Sequence, residues 1–145
     1  MQIQFIASVS LISASAHPGA TRGLLTRAFG LPLEAGSGDP DYVFSERIEG
    51  SKHFGVWPLT QAAEACFGVG EWPRDLPVPQ VSVEFEVASE QAVADAEQEL
   101  RAQGIRLLHP TRKEPWGQTV CRLLSAEGAI LGVSFAPWLH GAKKT

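Results

Sequence analysis

The order of predicted elements in residues 81–135 is the feature that most constrains the fold of this chain. A strand that alternates apolar and polar residues begins at Val81, and an amphipathic helix with Ser89 as its candidate N-cap follows it and stops at Gly104. Three further strands complete the segment. The second of them is predicted at Thr119–Leu124 and is joined to the last at the Glu127-Gly128 turn. Residues 4–58 carry a weaker copy of the same order. A repeat of this kind predicts an α+β fold made of two βαβββ modules, each a strand, a helix and three strands.

The repeat also sets the predicted domain boundaries. The predicted segments are a first module at 1–58, a connection at 59–80, a second module at 81–136 and a tail at 137–145. Pro18 is predicted in the first turn of the first helix, where its missing N–H has no intrahelical partner to lose. The connection is long and Pro-rich, and two interpretations of it stay open. It is either a functional flap or a linker packed against the body through Trp72.

Composition and charge argue against several classes of protein. The chain has 145 residues, of which 44% are hydrophobic and 19% charged, as is typical of a globular domain. Its net charge of −4 argues against a nucleic-acid partner, and the Lys143-Lys144 tail is too short to alter that. No apolar run approaches the roughly 20 residues that a membrane helix needs, so no membrane partner is expected. Residues 1–16 are typical of a first strand rather than a signal peptide.

The cysteine content indicates a reducing compartment. Cys66 and Cys121 are the only cysteines, and they lack the spacing of a disulfide framework. We therefore predict a cytoplasmic protein, while a single bridge between them stays open. Cys121 is interpreted as a buried, inert thiol, because strand alternation puts it on the opposite face from its neighbour Arg122.

Several short motifs of the second half resemble the vicinal oxygen chelate superfamily. They are the helix at 94–104, the Pro115-Trp116-Gly117 step and the closing hairpin at 122–133 with its Ser125-Ala126-Glu127-Gly128 turn. That superfamily includes glyoxalase I, extradiol dioxygenases, fosfomycin-resistance enzymes and bleomycin-resistance proteins. The resemblance implies two modules side by side, whose strands form a curved mixed sheet, a cup with helices on its convex side. It also implies a homodimer, with the first strand and the apolar tail at 137–139 as the expected contact surfaces.

The same resemblance places the ligands of metal-dependent relatives on residues that cannot replace them. The two His positions fall at Ser10 and Ser82, one Glu position falls at Gly132, and the other falls at 55–57. A hydroxyl and a glycine cannot substitute for an imidazole and a carboxylate at a divalent site. We therefore predict neither a metal nor another cofactor, although a site assembled from distant histidines stays open. The histidines lack paired spacing and are interpreted as surface or capping residues: His17, His53, His109 and His140.

Strand alternation selects candidate ligand contacts in the cup. Ser82, Glu84 and Glu86 share one face of their strand, and the apolar opposite face belongs against the helix. Glu84 lies nearer the strand centre and is the candidate carboxylate for a cationic ligand. Glu86 is interpreted as solvated at the rim of the cup. Ser10 is the candidate hydroxyl at the matching place in the first module.

Two tryptophans and an arginine complete the set of candidate ligand contacts. Trp57 and Trp116 lie at comparable places in the two modules, and each either stacks on a flat ligand or closes the core. Arg122 lies in mid-strand between apolar neighbours, where an unpaired charge would be costly. It is expected to pair with a carboxylate such as Glu84, and the alternative is an anionic ligand.

The leading functional hypothesis is a metal-free, glyoxalase-like or bleomycin-resistance-like protein. It would bind a small, partly aromatic molecule, a drug or a metabolite, in the cup. Two alternatives stay open. One is a metal-dependent lyase, isomerase or dioxygenase of the same superfamily with rearranged ligands. The other is a non-catalytic protein-binding module whose cup is filled by its own side chains. The sequence does not decide whether any reaction is catalysed.

Overall fold

The computed structural model describes residues 1–14 and 19–141. The predicted helix start at Pro18, the histidine His17 and the Lys143-Lys144 tail lie outside these residues. Strands account for much of the described chain: β1 (Phe5–Ser13), β2 (Glu34–Gly36), β3 (Asp39–Ser45), β4 (Phe54–Pro58), β5 (Val81–Glu86), β6 (His109–Lys113), β7 (Thr119–Leu124) and β8 (Ile130–Phe135). The helices are α1 (Ala20–Gly23), which continues as a π-helical turn over Leu24–Ala28, α2 (Leu59–Phe67) and α3 (Glu90–Ala102).

The strands form one mixed sheet whose order repeats about its centre. The described residues give eight strands in the order β2-β3-β4-β1-β5-β8-β7-β6. β1 runs antiparallel to β5 at the centre, and each of them runs parallel to the last strand of its own module, β4 or β8. Both halves therefore have the same internal order. This confirms the predicted α+β fold of two βαβββ modules in a curved mixed sheet.

Two of the helices cover the convex face of the sheet. Leu25, in the turn that follows α1, packs with Val43 and Val56 in the first module. α3 presents Val93 and Ala96 to a buried cluster of the second module that consists of Val87, Leu107, Cys121 and Val133. α3 begins as predicted, because the Ser89 hydroxyl accepts a hydrogen bond from the Ala92 N–H at 3.1 Å. Such an N-cap stabilises a helix by about 1 kcal/mol.

α2 lies in the connection, and sequence reading did not recognise it as a helix. Ala62, Ala63 and Cys66 pack against Trp72 and Ile130. Because Ile130 and Gly132 share one face of β8, α2 occupies one end of the concave face. The indole N–H of Trp72 donates to the Pro77 carbonyl at 3.0 Å. The connection is thus a packed linker, one of the two interpretations that the sequence left open.

Both thiols are buried in this fold. Cys66 lies on α2 and packs against Trp72 and Ile130, Cys121 packs under α3, and both cysteines are free rather than bridged. Burial raises the pKa of the Cys66 thiol to about 11 and also raises that of Cys121. Thiols of this kind are mostly protonated at neutral pH and react slowly. Across the described ranges, no helix is long and apolar enough to cross a membrane.

Candidate functional site

The concave face encloses a cavity of about 440 Å³ that is lined by residues from both modules. All of the predicted ligand contacts line it: Ser10, Trp57, Ser82, Glu84, Trp116 and Arg122. Their contact with a ligand stays a prediction. Ser10 and Ser82 face each other in the central β1–β5 ladder, so the two modules contribute matching hydroxyls to the middle of the cup.

Hydrogen bonds hold the Glu84 carboxylate in a fixed position. The Ser8 hydroxyl donates to its Oε1 at 2.7 Å, and the Gln118 amide donates to its Oε2 at 3.0 Å. Gln118 is itself held in place, since its Nε2 donates to the Ser134 hydroxyl at 2.8 Å and its Oε1 accepts from the Trp116 indole at 2.9 Å. Within the described part of the chain, Glu84 has no salt-bridge partner. Its negative charge therefore stays available to a ligand.

Glycines in the last strand of each module make room for these polar side chains. Gly132 lies opposite Glu84 in the β5–β8 ladder, and a Cβ added there would lie 3.2 Å from Cγ of Glu84. In the first module, a Cβ added to Gly55 would lie 2.9 Å from the hydroxyl oxygen of Tyr42. A side chain at either glycine would displace the polar group above it. At Gly132 and Gly55, where the family resemblance places metal ligands, the strand thus offers only backbone, and the Glu84 and Tyr42 side chains cover it.

The residues at the expected ligand positions do not fit a metal centre. Ser10, Ser82 and Gly132 offer no imidazole or carboxylate, and Glu84 reaches the space above Gly132 from the neighbouring strand. Over residues 1–14 and 19–141, no group of three or more His, Cys, Asp or Glu side chains is arranged to hold a metal ion. We therefore derive no chemical step through a metal.

An aromatic wall flanks the cup on the side of β3 and β4. The rings of Phe44 and His53 stack at a centroid distance of 4.9 Å and an angle of 7°. His53 Nε2 lies 2.6 Å from the Tyr42 hydroxyl oxygen, and His53 Nδ1 lies 3.2 Å from Oε1 of Glu46. All four residues line the cavity. The interpretation of His53 as a surface or capping residue is therefore wrong.

Arg122 pairs with a carboxylate, but the partner is Glu114 rather than the suggested Glu84. Its Nη1 lies 2.9 Å from Oε1 of Glu114, which also accepts from Nε of Arg112 at 2.8 Å. Burial raises the pKa of Glu114, yet the hydrogen bonds and charges of the two arginines outweigh burial and hold the pKa below its usual range. The guanidinium is 1% exposed and lies 5.6 Å from the ring centroid of Trp57. Arg122 thus supports the wall of the cup, and its charge is paired with the Glu114 carboxylate.

His109 completes this network as a neutral group. Burial lowers the pKa of its imidazole to about 4, and the nearby Arg122 and Arg112 act in the same direction. Its Nδ1 lies 2.8 Å from the carbonyl oxygen of Pro110, so Nδ1 carries the proton. Nε2 is then free to accept from Nη1 of Arg122 at 3.2 Å. His109 therefore has a structural partner rather than a ligand role.

Glu86 is fully buried, and the prediction that it is solvated at the rim is wrong. It is 0% exposed, and its Oε2 accepts from the Ala136 N–H at 2.6 Å. The same oxygen lies 2.7 Å from Nε2 of His140. Strand alternation placed Glu86 on the correct face, but the chain after β8 folds over it. That chain, a 3₁₀ turn at Pro137–Leu139, also places Trp138 in the cavity wall.

Sequence reading missed several residues that line the cup. A period of two from Tyr42 and Phe44 in β3 to Glu46 just after it places all three on one face, so the same reasoning that found Glu84 could have found them. Gln118 follows the Trp116 step and could have been included with it. Alternation back from Trp57 through Gly55 would likewise have placed His53 on the cavity face. No local signal identifies Trp138, which reaches the cavity through long-range packing.

Comparison with solved structures shows which fold this is. Methylmalonyl-CoA epimerase in complex with methylmalonyl-CoA and NH4+ superposes with a TM-score of 0.62 at 14% identity, over 97% of this chain and 100% of that one. A glyoxalase/bleomycin resistance protein/dioxygenase superfamily member from Vibrio splendidus 12B01 gives a TM-score of 0.54 at 11% identity, over 92% and 98%. For 2,2',3-trihydroxybiphenyl 1,2-dioxygenase from Sphingomonas wittichii strain RW1 the TM-score is 0.55 at 12% identity, over 90% of this chain and 42% of that one.

These likenesses confirm the vicinal oxygen chelate fold that the sequence resemblance implied. No protein-family model matches the sequence, and no curated protein matches it significantly. At identities this low the comparison establishes the fold alone.

Proposed function

We propose that this protein is a metal-free binding protein that takes up a small, partly aromatic molecule, a drug or a metabolite, in its cup. One observation carries the proposal. The resemblance places a metal-ligating Glu of metal-dependent relatives at Gly132, and here the Glu84 side chain from the neighbouring strand occupies the space above that glycine. The cavity of about 440 Å³ has the size of a small-molecule site, which is roughly 300–1,000 Å³.

Aromatic rings surround the Glu84 carboxylate and support an aromatic ligand. Trp57, Trp116, Trp138 and Phe44 all line the cavity. Flat rings stack on such side chains, and a cationic group is attracted both to their faces and to a carboxylate. Trp116 and Trp138 are about half exposed, which is the state expected of rings that a ligand covers.

The charge balance of the cup favours an organic cation or an N–H donor over an anion. Asp39, Glu46 and Glu84 line the cavity, while Arg122 is compensated by Glu114. An anionic ligand would meet uncompensated carboxylates in a partly desolvated space, where repulsion is strongest.

The test compares aromatic amines with matched aromatic acids in a thermal-shift screen followed by calorimetric titration. We expect the amines to raise the melting temperature, since a ligand at a hundred times its Kd stabilises the fold by about 2.7 kcal/mol. Glu84→Gln should weaken amine binding at least tenfold. The exposed turn variant Glu127→Gln is the matched control and should bind like the wild type. Stoichiometric divalent metal in the purified protein would contradict the proposal.

A metal-dependent enzyme with rearranged ligands remains the second candidate, because an epimerase and a dioxygenase share the fold. Adding Fe, Mn, Ni or Zn should then switch on turnover of a thiol hemiacetal or a catechol. Absence of turnover with every metal of this panel would count against a metal-dependent enzyme. The third candidate, a protein-binding module, requires a cup that is filled by its own side chains. The cup holds a cavity instead.

A homodimer is proposed on the family resemblance. The tail packs Trp138 and Leu139 along the cavity, so a partner on this side would also border the ligand site. Analytical ultracentrifugation across a concentration series tests the dimer, and a monomer at all concentrations would refute it.

A further inference from the structure

Tyr42, His53 and Glu46 form a chain of three titratable groups that ends in the cavity. The Tyr42 hydroxyl oxygen and His53 Nε2 are 2.6 Å apart, and His53 Nδ1 and Glu46 Oε1 are 3.2 Å apart. A reactive group, a base within hydrogen-bond reach and a third group that orients the base are the parts of an activated acid–base site. The proposed binding function uses none of them.

The hydrogen bonds assign the proton positions in this chain. Because the Glu46 carboxylate only accepts, His53 carries its proton on Nδ1 and donates it to Glu46. Nε2 is then the acceptor, and the Tyr42 O–H donates to it. The Ser10 hydroxyl occupies one lone pair of the phenol oxygen, and a second lone pair is left to accept a proton from a molecule in the cavity that Tyr42 lines. A proton taken up by Tyr42 from the cavity can therefore pass onward to His53.

The groups around Tyr42 and His53 favour proton transfer from Tyr42 to His53 over formation of a free Tyr42 phenolate. Burial raises the pKa of Tyr42, and the charges of Glu84 on β5 and of Glu46 and Asp39 beside the ring add to the increase, while a hydrogen bond with Ser10 opposes it. The Phe44 ring stacks on His53, and Nδ1 of His53, the nitrogen that does not face Tyr42, hydrogen-bonds to Glu46. An imidazolium formed at His53 would thus be stabilised by a carboxylate.

We propose that this relay makes the cup a metal-free proton-transfer site for an aromatic carbonyl compound that has an acidic C–H beside its carbonyl group. Tyr42 takes the proton from carbon while its own proton moves to His53 Nε2. The C–H electron pair becomes a C=C bond, and the carbonyl π pair moves onto oxygen as an enolate. Returning a proton to carbon restores the ketone, so the net result is exchange or inversion at that carbon, without an oxidant or a reductant.

Further polar groups of the cup suit such a substrate. Ser82 is a buried hydroxyl that lies opposite Ser10 at the floor of the cup, and it can donate to the enolate oxygen. Glu84 would bind a cationic group of the same molecule, and this part rests on the proposed binding function. A tertiary aminoketone that carries a phenyl ring has an aromatic ring, an acidic C–H beside a carbonyl group and a cationic amine. The probe is therefore 2-(dimethylamino)acetophenone.

The relay itself can be tested without any ligand. Tyr42 is the only tyrosine of the chain, so protein labelled with ¹³C at tyrosine Cζ gives a single resonance. We expect this resonance, measured at one fixed pH, to lie at different chemical shifts in the wild type and in His53→Gln, because that variant replaces the acceptor of the Tyr42 O–H. Glu46→Gln should also shift it, since the hydrogen bond to Glu46 fixes the proton on Nδ1 of His53. A resonance that is unchanged in both variants would overturn the relay.

The activity is measured as deuterium uptake at the α-carbon of the probe in D₂O, followed by ¹H NMR. We expect uptake above that of buffer with equal concentrations of imidazole and acetate. Tyr42→Phe, which keeps the ring, and His53→Gln should each lose about 10²-fold or more, the usual size of a general acid–base contribution. Glu127→Gln should leave the rate unchanged.

Calorimetric titration of the same probe separates the two proposals. If Tyr42→Phe binds the probe but no longer exchanges it, both proposals are supported. If the wild type binds the probe without exchange, the proton-transfer proposal is overturned and the binding function stands. Exchange that Tyr42→Phe and His53→Gln both retain would likewise overturn the relay.

Discussion

Replacing Arg122 by methionine tests the buried network that supports the cup. Removing one partner of a buried ion pair costs about 3–5 kcal/mol, because the other charge stays buried and uncompensated. Glu114 would still accept from Nε of Arg112 at 2.8 Å, so its buried charge keeps one partner, although the Arg112 side chain is 37% exposed. We accordingly expect the lower end of the range, about 3 kcal/mol. For a chain of this length that lowers the melting temperature by about 9 °C.

The double variant Arg122→Met, Glu114→Gln identifies the cause of that loss. Once both charges are gone, no unpaired carboxylate remains, so the double variant should be more stable than the sum of the single losses by about 1–3 kcal/mol. The assay is urea unfolding followed by far-ultraviolet circular dichroism, since Trp57 fluorescence would itself respond to loss of the nearby guanidinium. Arg74→Met is the control, because Arg74 is 94% exposed and 3.8 Å from Glu71. Additivity within about 0.5 kcal/mol would refute the reasoning.

Three further predictions concern single groups. Gly132→Ala should abolish aromatic-amine binding while lowering stability by about 1–3 kcal/mol, because its Cβ would crowd Glu84 at 3.2 Å; calorimetry and urea unfolding check both effects. The lowered pKa of Glu114 stabilises the fold above the carboxyl's unfolded-state pKa, and this is lost as the pH falls through the folded value. The free energy of unfolding should therefore fall more steeply on acidification in the wild type than in Glu114→Gln; parallel curves would contradict this. Cys66 and Cys121 should resist a thiol reagent in the native state and both react after unfolding; fast labelling of the folded protein would show that the burial is wrong.

The fold could be predicted because its signals are local. β7 (Thr119–Leu124) has the predicted bounds, since alternation and the following turn define both of its ends. α3 was likewise defined by the Ser89 cap and by Gly104, whose φ of 78° suits a glycine. α2 was missed because its short Ala-rich run lies inside a Pro- and Gly-rich connection, and packing on Ile130 and Trp72 rather than a strong local pattern holds it.

The candidate site was predictable to the level of strand faces. Alternation put Ser82, Glu84 and Glu86 on the correct side of β5, but it could not show that the chain after β8 covers Glu86. It also could not supply the partner of Arg122, because Glu114 lies beyond the end of β6 and approaches only once β6 pairs with β7. Contacts between distant segments depend on the assembled sheet, and a single sequence carries no direct record of them.

The position of α2 has a consequence for how a ligand would be presented. The two modules repeat each other, but α2 packs across one end of the concave face, with the Arg122 and Trp57 side chains beside it. Trp116 and Trp138 are exposed at 52% and 49%, so an incoming molecule meets these rings at the solvent-facing part of the cup. A molecule longer than the cavity would leave its trailing part in water near them. A chemical linker attached there should be tolerated, whereas the same linker on the leading part should block uptake, which gives a practical rule for designing affinity resins and fluorescent conjugates.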